Sequence, residues 1–116
     1  MNAKPLATPG PATIEALGNG RFCVRGALHA ETVTDLLERS EALFQGATQL
    51  EIDLAGVPEG DSAGLALLIE WLRRAKQQRQ EIHFKNVPTQ IAALARISEV
   101  EDLLSNGNSA AARQDP

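Results

Sequence analysis

The chain has one cysteine, one tryptophan and two histidines in 116 residues, and each scarcity excludes something. Cys23 has no partner for an internal disulfide, and its alternation with Phe22 and Val24 reads as a strand carrying a buried structural thiol. Two histidines, His29 and His83, are too few for a metal cluster, and neither a phosphate-binding loop nor a dinucleotide fingerprint is present. No metal and no cofactor are therefore expected. Basic residues are outnumbered, 11 Lys and Arg against 15 Asp and Glu, for a net charge of −4. Nucleic acid is excluded as the main partner, because neutralising its phosphates takes clustered cations. The one basic cluster is Arg73, Arg74, Lys76 and Arg79, at the end of a predicted helix, where cations complement the helix dipole. No apolar run approaches a membrane span, and "MNAKPLATPGPATIEALG" has no signal-peptide core. These absences point to a cytoplasmic protein without direct membrane insertion, one that sits at a membrane only through a partner.

Hydrophobic residues at 43% and charged residues at 22% are ordinary for one globular domain with one core. Residues 1–11, rich in Pro, Ala and Gly, read as a flexible N-terminal tail, and 105–116 as a C-terminal one, leaving a domain over 12–104. No internal repeat is visible.

Within that domain "TIEALGNGRFCVRG" gives two short strands about Gly18-Asn19-Gly20, a hairpin signal. In "HAETVTDLLERSEALFQG" the period becomes helical, through Val33, Leu36, Leu37, Leu43 and Phe44 to a stop at Gly46. "QLEIDLAGV" and "EIHFKNV" alternate as strands, and "DSAGLALLIEWLRRAKQQRQ" between them is the clearest helix. Pro88 opens a last helix, along which Ile91, Leu94, Ile97 and Val100 recur every third residue. The order β-β-α-β-α-β-α requires crossover connections and implies an α/β domain, a small mixed sheet with helices mainly on one face.

On the central helix Leu65, Leu68, Ile69 and Leu72 form the core stripe. Leu67 and Trp71 lie well round from its centre, with Gly64 at their N-terminal end. They either pack beneath the first helix or a tail, or form an exposed binding patch anchored by Trp71 with Gly64 allowing close approach. Just before them, Asp61 or Ser62 caps the helix. Small neighbours, Ala63 and Gly64, leave the Ser62 hydroxyl accessible. "GDSAG" satisfies the G-x-S-x-G nucleophile pattern, yet the chain is too short for that hydrolase fold and no acid–histidine pair follows in order. Catalysis is not expected.

"IDLAGV", "DSAGLALL" and "HFKNVP", with "RGALHAETV" upstream, resemble the STAS domain. That family is shared by bacterial anti-sigma factor antagonists, anion-transporter tails and a subunit of a lipid ABC transporter. The resemblance covers nearly the whole predicted domain and implies a small sheet flanked by helices. "GLALLIEWLRRAKQQ" is most similar to the transporter branch, whose cytoplasmic STAS subunit docks on the ATPase of the system maintaining outer-membrane lipid asymmetry, and through it on the permease. The expected partner-binding set is Asp61, Ser62, Ala63, Gly64, Leu67 and Trp71. In the alternative branch, the anti-sigma factor antagonists, the serine matching Ser62 is phosphorylated by a partner kinase. A phosphate there would sit favourably at a helix N-terminus and add about −2 charge beside Asp61 and Glu59.

Overall fold

A computed structural model describes residues 11–106. The predicted tails lie outside the described residues except at their inner ends, where Ser105 and Asn106 belong to a helix. Four strands form one mixed sheet in the order β1-β2-β3-β4: β1 (Thr13–Gly18), β2 (Arg21–Arg25), β3 (Gln49–Gly56) and β4 (Glu81–Lys85). A two-residue turn, Asn19-Gly20, with φ of 59° and 77°, joins β1 to β2 antiparallel. Parallel pairing of β2 with β3 and of β3 with β4 requires crossovers, supplied by helices α1 (Ala30–Phe44) and α2 (Ser62–Gln77). Helices α3 (Thr89–Ile97) and α4 (Glu101–Asn106) follow β4.

Alternation sets which face of the sheet is covered. Phe22 and Val24 of β2, Leu50, Ile52 and Leu54 of β3, and Ile82 of β4 are buried in the core shared with the helices. Arg21, Arg25, Glu51, Asp53 and Lys85 have the opposite parity and are exposed or half-buried. Cys23 has that parity too. It is half-buried, with Sγ 3.8 Å from Glu15 Oε1, which corrects the expectation of a buried structural thiol: Cys23 is on the expected strand, but on its wetter face.

Helix α2 packs against both α1 and α3 over β4. A helix flanked on two sides and floored by a sheet needs more than one apolar stripe, which accounts for Leu67 and Trp71. Both are buried, at 3% and 2% exposure, so Trp71 is not the anchor of an exposed patch. Its indole lies between Phe44 and Phe84, with ring centroids 5.7 and 6.4 Å away, and Nε1–H donates to Ser40 Oγ on α1 at 2.8 Å. The first helix, one of the two covers open to this pair in the sequence, packs on Trp71 through Ser40 and Phe44.

The predicted last helix is broken. Glu99 takes φ of 63° and separates α3 from α4, leaving Ile97 77% exposed. A strict three-residue step falls about 60° short of a helical turn each time, so Ile97 drifts off the face that buries Ile91.

Candidate functional site

Because β2 and β3 are adjacent and parallel, the segments leaving their C-terminal ends emerge side by side. The chain uses this to join the starts of α1 and α2. Leu28 N–H donates to the Glu59 carbonyl at 3.0 Å, and Asp61 N–H donates to the Leu28 carbonyl at 3.1 Å, forming a bridge between Leu28 and Gly60. Gly60 and Gly64 make this approach feasible. A Cβ on Gly60 would stand 2.6 Å from Ile91 Cδ1, and one on Gly64 would be 3.0 Å from Leu28 Cβ and 3.2 Å from its carbonyl oxygen. The two glycines of "GDSAG" thus serve internal packing. Gly64 is buried, which corrects the expectation that it opens the helix to a partner.

Asp61 is the cap of α2: Oδ1 accepts from Ala63 N–H at 2.9 Å. Its other oxygen, Oδ2, lies 3.2 Å from His29 Nδ1, and His29 Nε2 lies 3.5 Å from Glu59 Oε2. His29 caps α1 and is held by buried Thr32, whose Oγ1 accepts His29 N–H at 3.0 Å and donates to the Ala27 carbonyl at 2.9 Å. The hydrogen bond with Asp61 is the main influence on His29 and holds its pKa above the usual 6.5, against a smaller opposing effect of burial. For Asp61 desolvation alone would raise the pKa. The His29 bond and the backbone N–H groups of Ala63 and Gly64 together outweigh it and keep the carboxyl below its usual 3.8.

Ser62, released from capping, is the first residue of α2 and is exposed. Among the described residues its hydroxyl makes no hydrogen bond. An acid–histidine pair does exist here, but both of its members precede Ser62 in the chain, outside the order sought in the sequence. Both ring nitrogens face carboxylates, and among the described residues His29 makes no hydrogen bond to the Ser62 hydroxyl.

Beside the serine runs a shallow groove of about 310 Å³ between α1 and α2, lined by Val33, Thr34, Leu37, Ala63, Ala66, Leu67 and Glu70. An apolar surface next to the hydroxyl is therefore present, built from different residues than expected. Ala63 lines it directly after Asp61 and Ser62 in the chain, Leu67 contributes to its lining from a buried position, and Trp71 takes no part. Val33, Leu37 and Ala66 were not singled out as site residues, nor was His29. Ala66 follows from the α2 helical repeat; the α1 residues become visible only once the two helices are known to be neighbours. The described residues contain no group of three or more His, Cys, Asp or Glu able to hold a metal ion.

No curated protein matches this chain. Among solved structures, the anti-sigma factor antagonist SpoIIAA in its unphosphorylated form is similar, with a TM-score of 0.58 and 18% identity over 81% of this chain and 84% of that one. At such identity the likeness is one of fold. A family model described as "Mlab, STAS domain" matches residues 15–105, nearly all of the described residues, and the chain belongs to that STAS domain family.

Proposed function

We propose that the protein is a non-catalytic STAS subunit that docks on the ATPase of a phospholipid-transporting ABC complex and stabilises or regulates it. It would work in the cytoplasm, held at the inner membrane through the permease. The observation that carries this reading is the exposed, free Ser62 hydroxyl next in the chain to Ala63, which lines the apolar groove between α1 and α2. Such a surface offers a partner one uncommitted hydrogen-bonding group beside half-buried Val33 and Leu37, whose burial against another protein would be favourable. The description of the matching family model favours the transporter branch, and no helix among the described residues is long and apolar enough to cross a membrane.

Co-purification with the ATPase tests the surface. Ala66 is exposed, and arginine is a good helix former, so Ala66→Arg should leave the fold intact while filling the groove with a cation. Both Ala66→Arg and Ser62→Asp are expected to lower capture at least tenfold, about 1.4 kcal/mol. Undiminished capture by both would reject the surface.

A second reading has its own support. Ser62 is exposed at the start of α2, where a phosphate is electrostatically favoured, and the fold resembles an anti-sigma factor antagonist. In this alternative a partner kinase modifies Ser62 and the added charge releases the partner. Mass spectrometry of protein purified from its native cells would then find phosphate on Ser62; an unmodified serine under all growth conditions would eliminate the switch.

A further inference from the structure

We propose that His29 is a proton-sensitive clasp that fixes the Glu59–Ser62 turn against the start of α1, so that one imidazole sets the shape of the docking face. The argument is one of donor counting. A neutral imidazole has a single N–H and can donate to one carboxylate, whereas an imidazolium donates through both nitrogens. Here both nitrogens face carboxylates, Nδ1 with Asp61 at 3.2 Å and Nε2 with Glu59 at 3.5 Å. Only the protonated ring satisfies both. On losing the proton, one carboxylate meets a bare lone pair, and Glu59, the longer contact and the more exposed acid, is the one released.

The surrounding charges leave His29 alone in this role. Neither Glu59 nor Asp61 is paired with any other cation among the described residues. On α1 itself, Glu31 adds a negative charge in the first turn, and Asp35 is engaged by Arg39 at 2.8 Å. Helix α3 sends Ile91 beneath the turn, and its only charged residue, Arg96, lies 3.7 Å from Glu101. The N-terminus of α1 disfavours a cation at its cap, so the two carboxylates must outweigh it. Since His29 titrates above its usual 6.5, the clasp is complete below pH 6.5 and is lost as pH rises through the raised value.

The consequence for docking rests on the function proposed above; the clasp itself needs no partner and is tested without one. In an NMR titration of the full chain, the His29 ring should titrate with a midpoint above 6.5. The amides of Ala63 and Gly64, which donate to Asp61, should shift with the same midpoint. Asp61→Asn should lower the His29 midpoint most and Glu59→Gln by less. In His29→Asn, where asparagine can still cap α1, the Ala63 and Gly64 shifts should vanish from that pH window. A His29 midpoint at or below 6.5, or Ala63 and Gly64 amides that stay still while His29 titrates, would overturn the clasp. Loss or retention of ATPase capture changes none of these readouts, so the two proposals fail separately.

Discussion

Trp71 shows how a correct angle can carry an incomplete conclusion. Its place on α2, away from the stripe of Leu65, Leu68 and Leu72, follows from helical geometry, but what covers it depends on Ser40, 31 residues earlier. A trace of that partnership was in the sequence. Thr32, Leu36, Ser40 and Phe44 recur every fourth residue and all four are buried; a small hydroxyl in such a row marks a place where another helix brings a polar group. Ser40 Oγ donates to the Leu37 carbonyl and accepts the indole N–H, each at 2.8 Å, so the pair is satisfied within the core. Trp71→Phe keeps most of the apolar bulk but removes the donor, and should cost about 1–3 kcal/mol. Trp71→Ala also leaves a cavity beside Phe44 and Phe84 and should cost about 3–5 kcal/mol. Urea midpoints for the two variants check the order; a Trp71→Ala protein as stable as the parent would mean that the indole is not in the core.

Among the elements, those with a clean period were legible and those whose fate depends on neighbours were not. The strands, the hairpin and both long helices follow from alternation and helical spacing, and the parallel order follows from the crossovers they need. The same topology places the loops after β2 and β3 together, which was the available signal for His29 meeting Glu59 and Asp61. The break after α3 had no comparable signal, because the apolar spacing continues straight through it to Val100. Helix α2 also shows what its basic end does. Arg73 forks onto Glu70 with bonds of 2.9 and 2.6 Å, and Arg74 Nε reaches the same carboxylate at 2.7 Å. These two guanidinium groups, Arg73 first, lower the Glu70 pKa from 4.5 to about 2. A depressed carboxylate pKa stabilises the fold fully above pH 4.5 and loses that contribution as pH falls towards 2. Exposure and salt screening keep the effect small, at most about 1 kcal/mol. Melting temperature measured across this acid range should therefore fall less steeply in Glu70→Gln than in the parent; equal slopes would show that the fork contributes nothing to the acid limb.

At the scale of the whole molecule, one aromatic chain ties the layers together. Phe22 on β2 meets Phe44 on α1 at 4.9 Å, Phe44 meets Trp71 on α2, and Trp71 stacks with Phe84 on β4. All four rings belong to or pack against the same core, and the described residues form no second cluster beside it. An element cannot leave this arrangement without exposing the faces of its neighbours, so unfolding should be a single cooperative step. The lone tryptophan makes this easy to observe, since its emission reports the junction of α1, α2 and the sheet, while far-UV circular dichroism reports the helices as a whole. The two curves should coincide in urea, with a slope of about 1–3 kcal/mol per molar, as for other small domains. Ser62→Asp should leave both curves in place, because Ser62 is exposed and a negative charge suits the start of α2. If tryptophan emission instead changed at lower urea than the dichroism, α1 would be able to detach from α2 while the rest stayed folded. The groove between them would then be a hinge and not a preformed surface.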